Sequence, residues 1–255
     1  MASLIAFCAS LSSLPSAAFS NAYKLISITL NSNYSIVEDY TFFNCQSLSS
    51  IPNDSKITSI GTSAFQSCSN LYAPIPGSTV INVMNLPQCE TIGSYAFSNC
   101  YNMTHISIPK VVTINDGTFY NCSNLNAIYQ GNGVKNVLSG ISYIGRSAFY
   151  RTGLSYLSLS GQVYIDQGAF QSTPLSYINL GSCSDIRSMA FYNCSQLEVI
   201  YLRNGNVCSL YNSTVFDGTK ITSSTGSIFI STQTLLNAYK IAPGWSYFSN
   251  RMFLG

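Results

Sequence analysis

"GTSAFQSCSNL", residues 61 to 71, returns as "GSYAFSNCYNM" at 93 to 103 and as "NDGTFYNCSNL" at 115 to 125. Self-similarity of this kind is the signature of a repeat architecture, and it decides the fold before any single segment is read. Weaker copies complete the series: "LPSAAFSNAYKL" from Leu14, "EDYTFFNCQSL" from Glu38, "GRSAFYRTGL" from Gly145, "DQGAFQSTPL" from Asp166, "RSMAFYNCSQL" from Arg187 and "STVFDGTKI" ending at Ile221. The first of them absorbs the opening stretch, which imitates a secretory signal but has no Lys or Arg ahead of its apolar run.

The anchors are Phe19, Phe42, Phe65, Phe97, Phe119, Phe149, Phe170, Phe191 and Phe216, mostly 21 to 25 residues apart, with intervals of 32 and 30 after Phe65 and Phe119. An aliphatic residue precedes nearly every anchor (Leu14, Val37, Ile60, Ile92, Ile114, Ile144, Ile165, Ile186), and another follows it (Leu25, Leu48, Leu71, Met103, Leu125, Leu154, Leu175, Leu197, Ile221). Then comes strict alternation, as in "LISITL", "MTHISI", "LSYLSL", "LSYINL" and "LEVIYL", the period of a strand with one buried face. One such strand per copy predicts a stack of parallel strands. No single copy closes its own core, so each buries its apolar face against its neighbours.

Composition narrows the function. With 255 residues and 46% hydrophobic content the chain can build a continuous core. Only 8% of residues are charged and the net charge is +2, too sparse a Lys/Arg field for a nucleic-acid partner. No window offers the roughly 18 uninterrupted apolar residues of a membrane span, so a soluble chain is expected.

The phased motif A-F-x-x-C-x-x-L-x-x-I-x-L/I-P, preceded by I-G-x-x, resembles the BspA-type leucine-rich repeat over almost the whole chain. The resemblance implies an all-β-rich, curved, right-handed leucine-rich repeat solenoid lined by one parallel sheet. It also implies a secreted or surface-attached bacterial protein (some protozoan ones share the repeat) that binds host proteins or cells. No catalytic residues belong to that pattern, so none is carried over. This sequence departs from it in the two long intervals and in the missing Cys after Phe149 and Phe170.

The repeat also places the cysteines. Cys45, Cys68, Cys100, Cys122 and Cys194 lie three residues after their anchors, where a thiol can bond turn carbonyls. Cys89, Cys183 and Cys208 lie eight before theirs, where other copies have Leu11, Ile57, Val111 or Ile141, which marks a small apolar core slot. Disulfides between in-register neighbours, such as Cys45 with Cys68 or Cys100 with Cys122, are the rival reading. The odd count of nine and the interior direction favour thiols. No C-x-x-C occurs and the one histidine is not at ligand spacing from two cysteines, so neither zinc nor a cofactor is expected. Cys100 and His105 suggest a nucleophile and its base, but parity sends Cys100 inward and His105 outward.

Alternation sends outward His105 and Ser107, Ala127 and Tyr129, Tyr156 and Ser158, Tyr177 and Asn179, Val199 and Tyr201; the preceding segments add Tyr143 and Tyr164. Tyrosine offers contact area at low entropy cost, and the sheet face of a solenoid is its usual binding surface. The candidate binding residues are therefore Tyr129, Tyr156, Tyr177, Tyr201, Tyr143, Tyr164 and His105. The plainer alternative is that these tyrosines only pack beside their cross-strand neighbours. Sequons at Asn33, Asn53, Asn102, Asn121, Asn193 and Asn212 largely overlap the "NCS" turn and read as structural. Asp116, Asp166 and Asp185 sit near turns, where backbone bonding is the usual reason for aspartate.

After Gly226 the pattern changes: Ile228 and Ile230 mark a last strand, Thr232 to Ile241 a short helix stopped by Pro243, and Trp245 is the single tryptophan. The expected organisation is a solenoid of about nine turns over residues 1–226, closed by a strand/helix cap at 227–255 in the same domain. Met1 falls almost inside a repeat, which fits a fragment, a chain following another domain or subunit, or an open end that pairs with something. The expectation is a non-enzymatic binding or adhesion module, extracellular or on the cell surface, recognising a protein or glycan on a host or neighbouring cell. The runner-up is a structural spacer in a larger surface or fibre assembly.

Overall fold

The computed structural model describes residues 4–8, 14–30, 32–51, 54–73, 82–131, 133–203, 205–223 and 225–255. The slot residue Leu11 and the sequon at Asn53 lie outside them. The fold is a leucine-rich repeat built mostly of short parallel strands. Each copy up to Phe191 bends twice around its anchor phenylalanine, and the bend is made by left-handed backbone two residues before and two residues after the ring; the copy at Phe216 has the second bend without the first. The first position has φ between 51° and 63° at Ala17, Tyr40, Ser63, Tyr95, Gly117, Ser147, Gly168 and Met189. The second has Asn21, Asn44, Ser67, Asn99, Asn121, Arg151, Ser172, Asn193 and Gly218, with φ between 52° and 76°. Asn and Ser tolerate that region because a short polar side chain bonds locally. The "NC" of the repeat is thus a backbone requirement, which accounts for the sequons at Asn121 and Asn193.

The anchors form a column. Eight successive contacts join the rings from Phe19 to Phe216 at centroid distances of 5.3–5.7 Å and interplanar angles of 2–13°. Around it lies one hydrophobic cluster running from Leu14 to Met252, which includes every flanking aliphatic named above. The anchor's peptide groups bind the turns together: Phe42 N–H donates to the Ala64 carbonyl in the next copy, and Phe65, Phe97 and Phe119 repeat the pattern with Ala96, Thr118 and Ala148.

Where the repeat carries Cys, the thiol donates to the anchor carbonyl of the preceding turn: Cys45 to Phe19, Cys68 to Phe42, Cys100 to Phe65, Cys122 to Phe97 and Cys194 to Phe170, at 2.9–3.1 Å. Of the four copies that lack it, the first has Ala22 and the others have Thr152, Thr173 and Thr219, whose hydroxyls donate to the anchor carbonyl of their own turn at 2.7–3.1 Å. A long C–S bond reaches the neighbour and a short C–O bond closes the local turn. The glycine of the "I-G" pair is set by a close approach: a Cβ on Gly61 would lie 2.5 Å from the Asp39 nitrogen, and one on Gly145 2.6 Å from that of Asp116.

The expected single parallel sheet is corrected to two series of parallel ladders. The first series pairs Leu4–Cys8 with Leu25–Leu30, then Val83–Asn85, His105–Ser107 and Ala127–Gln130, then Val137–Ser139, Tyr156–Ser160, Tyr177–Asn179, Val199–Leu202, Ser227–Ile230 and Met252–Leu254, with no strand directly after Phe42 among the described residues. The shorter strands before each anchor form a second series, Ile36–Val37 to Thr91–Ile92 and Thr113–Ile114 to Ser209–Leu210. Several of these span only two residues, too few for alternation to show. Ser227–Ile230 is not the last strand, because Met252–Leu254 adds beyond it.

The long interval after Phe119 is a local excursion. Val134–Lys135 folds back antiparallel on Ala127–Gln130 before Val137–Ser139 resumes the parallel direction. Two buried amides bridge the interrupted ladder: Asn136 Oδ1 accepts from Ile128 N–H at 2.9 Å and its Nδ2 donates to the Asn126 carbonyl, while Gln130 Oε1 accepts from Ser139 N–H.

At the C-terminal end the helix Gln233–Ile241 is N-capped by Thr232 and buries Leu235, Leu236 and Tyr239. A 3-10 turn, Trp245–Arg251, sets Trp245 and Phe248 on Phe216 at 5.8 and 5.4 Å, so the last ring of the column is covered by aromatics. Among the described residues no helix is long and apolar enough to cross a membrane.

Phe119→Ala, in mid-column between rings at 5.7 and 5.5 Å, should cost about 3–5 kcal/mol in denaturant unfolding. Met189 is exposed and held at φ 58°, so Met189→Gly should raise stability by about 0.5–1 kcal/mol in the same measurement.

Candidate binding face

On the strands that follow the anchors, inward residues pack the core and outward ones stay open. Ile106, Ile128, Leu157, Ile178, Ile200 and Ile228 are fully buried. His105, Tyr129, Tyr177 and Tyr201 are half-buried, and Tyr156 is exposed. Ala127 departs from the expectation: it has outward parity but is fully buried. Its methyl is short, and the chain segment at Asn136 bonds to the backbone on both sides of it, at Asn126 and Ile128.

The outward rings form two groups. Tyr177 and Tyr201 lie 5.5 Å apart, and the row continues through Phe229, stacked at 5.0 Å on Tyr201, to Phe253 at 6.1 Å. Tyr156 pairs in register with Tyr177, and the Arg203 guanidinium lies 5.2 Å over the Tyr201 ring. The second group sits across the excursion. His105 stacks on Tyr129 at 6.3 Å, and Lys135 is opposite Tyr129 in the folded-back strand. The His105 imidazole pairs with Thr104 Oγ1 at 2.9 Å. Partial burial, then the nearby Lys135 ammonium, hold it below its ordinary 6.5, so it is neutral at pH 7.

Tyr143 and Tyr164 do not join either group. They belong to the other ladder series, where their rings stack at 5.7 Å. Tyr143 donates toward Asp166 Oδ2 at 3.0 Å and Asp116 Oδ1 at 3.3 Å. Burial, then the Asp166 carboxylate, push the Tyr143 phenol up. Arg187 Nε donates to Tyr164 Oη at 2.6 Å, lies over that ring at 5.3 Å and pairs with Asp185. Asp116 Oδ1 also accepts from the Arg146 N–H of the next copy, and Asp166 Oδ1 from Gln167 N–H, the structural use expected of turn aspartates.

Phe229, Phe253, Lys135 and Arg203 are the members of this surface that sequence reasoning missed. Phe229 carried a signal, since it sits between Ile228 and Ile230 in "SIFI". Phe253 carried none, because its pairing depends on the path the cap takes. Lys135 likewise arrives only through the folded-back strand.

Chemically, the face offers ring surfaces with hydroxyl tips and little charge. Among the described residues no cluster of three His, Cys, Asp or Glu could hold a metal ion. Cys100 is fully buried, bonded to the Phe65 carbonyl and pushed well above its ordinary value by burial and then by the neighbouring thiols Cys122 and Cys68. It and His105 face opposite sides of the strand layer, so they form no nucleophile and base.

Burial pushes the Cys122 thiol up to about 12 from its ordinary 9.0. The unfolded chain therefore loses this proton first, and stability is full below pH 9.0 and falls between there and about pH 12. Cys122→Ala should reduce the slope of unfolding free energy in that window by about 1.4 kcal/mol per pH unit, read from denaturant titrations at each pH.

Comparison with known proteins agrees with this architecture. The family model described as "BspA type Leucine rich repeat region" matches in six copies, over residues 2–83, 77–141 and 135–237. Among solved structures, a leucine-rich repeat protein from Bacteroides ovatus is 19% identical, with a TM-score of 0.60 over 88% of this chain and 54% of its own. The chain thus spans about half the length of that relative. A leucine rich cell surface protein from Faecalibacterium prausnitzii is 17% identical, with a TM-score of 0.35 over 92% of this chain and 89% of its own. None of the curated proteins compared with the chain matches it.

Proposed function

Because the chain belongs to the BspA-type leucine-rich repeat family, we propose that it is a non-enzymatic binding module that recognises a protein or glycan through its exposed aromatic face. The observation that carries this reading is the row Tyr177, Tyr201, Phe229 and Phe253, with ring spacings of 5.0–6.1 Å, the first three standing on strands whose inward residues are fully buried. Rings held by a rigid scaffold lose little freedom on binding, and aromatic anchors supply most of the energy of a typical interface. Tyr156 extends the row, and His105 with Tyr129 forms a second contact point. Tyr143 and Tyr164 belong to a separate patch whose hydroxyls are already engaged by carboxylates and Arg187.

The reading includes a curved, right-handed solenoid of about nine turns over residues 1–226, with 227–255 as its cap in one domain. The nine-membered phenylalanine column and the seating of Trp245 and Phe248 on Phe216 support it. An extracellular or cell-surface setting, with adhesion to a host or neighbouring cell, follows the habit of the family. The low charge, +2 overall, supports a partner that is neither nucleic acid nor a strongly acidic surface.

Tyr177→Ser combined with Tyr201→Ser should leave the fold intact and weaken binding by at least about tenfold on arrays of extracellular proteins and glycans, since hot-spot rings carry 2 kcal/mol or more. A double variant that binds as the parent does would favour the spacer.

A further inference from the structure

We propose that Cys183 and Cys208 form an oxidisable dithiol, which a low-molecular-weight disulfide converts into a staple beneath the seat of the C-terminal cap. The pair stands apart from the other described cysteines. The thiols that follow the anchors each bond an anchor carbonyl, and Cys89, in the same slot as this pair, has Ile57 and Val111 in the corresponding slots of the flanking copies. Only Cys183 and Cys208 fill that slot in consecutive copies. The register Asp185 to Ser209 between their parallel strands sets Cys208 across from Ser184, one residue from Cys183. The Cys208 thiol points at Cys183 with the sulfurs 2.7 Å apart, about 0.7 Å beyond bonding distance.

Access is asymmetric. Cys183 is 4% exposed and lines a cavity of about 360 Å³ with Gln162, Ser182, Gly205 and Asn206, while Cys208 is fully buried. Cys183 is therefore the attacking group and Cys208 the resolving one. In the first step the Cys183 sulfur displaces one thiolate from the disulfide RS–SR, forming Cys183–S–SR and releasing RSH. In the second, the Cys208 sulfur attacks the Cys183 sulfur, its proton leaves with the departing thiolate, and a second RSH is released. Both protein thiols are oxidised and one RS–SR is reduced to two RSH.

The staple would act on the cap. The Cys208 N–H donates to Tyr239 Oη at 2.9 Å, and its carbonyl accepts from Trp245 Nε1 at 2.7 Å. The backbone of one residue thus hydrogen-bonds two aromatic side chains of the cap, and the new bond would tie that residue to the preceding copy.

The test uses the full chain, reduced and folded, incubated with excess oxidised glutathione, alkylated and digested without reductant for mass spectrometry. The expected product is a peptide pair joining Cys183 to Cys208, two hydrogens lighter than the reduced pair, reversed by dithiothreitol. It should come with a thermal midpoint higher by roughly 5–10 °C. Cys208→Ala should instead accumulate a glutathione adduct on Cys183. The proposal is overturned if both cysteines stay alkylatable in the parent protein, if either pairs with another cysteine, or if the oxidised chain melts no higher than the reduced one.

Discussion

The phenylalanine column is the contact on which the rest of the molecule depends. Rings at 5.3–5.7 Å and nearly parallel set a common pitch, and the pitch of a parallel ladder, about 4.8 Å, is close enough for strands on both sides of the bend to follow it. A ring can hold that position only if the backbone turns sharply on either side of it. The left-handed residues around it supply the turn; the anchor's N–H is taken by the next copy, while its C=O closes the local turn and, where the following copy carries Cys, also accepts from that thiol. Packing, backbone geometry and hydrogen bonding thus meet on one residue per copy, which is why the copies tolerate so much variation elsewhere.

That economy explains the unusual composition. A solenoid whose turns are joined by backbone bonds and thiol-to-carbonyl bonds has little need of ion pairs, and Arg187–Asp185 and Lys220–Glu198 are the salt bridges among the described residues. Asn and Ser at the left-handed positions also bond one another from copy to copy, as Asn44 does with Asn21 and Asn121 with Asn99. The polar surface is built from residues that the turn already requires. Charge is then left to a few places, of which Lys135 beside His105 and Arg203 over Tyr201 lie on the aromatic face.

Much of this was legible in the sequence because it repeats. The anchors, the aliphatic flanks, the cysteine slots and the C-terminal helix all recur or carry strong local signals, and among the described residues the structure places them as their spacing demands. What could not be read is what happens once. The excursion at Val134–Lys135 looks in sequence like a long interval, because the polar bridges from Asn136 and Gln130 that heal the ladder have no periodicity. Ala127 has the right parity for exposure and loses it to that same excursion. Tyr143 and Tyr164 sit one residue before buried isoleucines, Tyr143 in a strand of only two residues, so their membership in a second ladder was hidden. Phe253 joins the aromatic row only because the cap leads the chain back beside Ser227–Ile230.

The cap therefore governs more than the end of the core. Its helix and 3-10 turn are seated by Tyr239 and Trp245 on the backbone N–H and C=O of Cys208, and the same 3-10 turn runs directly into Met252–Leu254. Phe253, the end of the outward row, is thus held in place by what happens around Cys208 on the opposite side of the strand layer. Loosening the seat would release Trp245 and Phe248 from Phe216 and let the last strand leave the ladder, taking one ring from the face. Stability at the buried end and the length of the aromatic surface are thus linked through the backbone of Cys208.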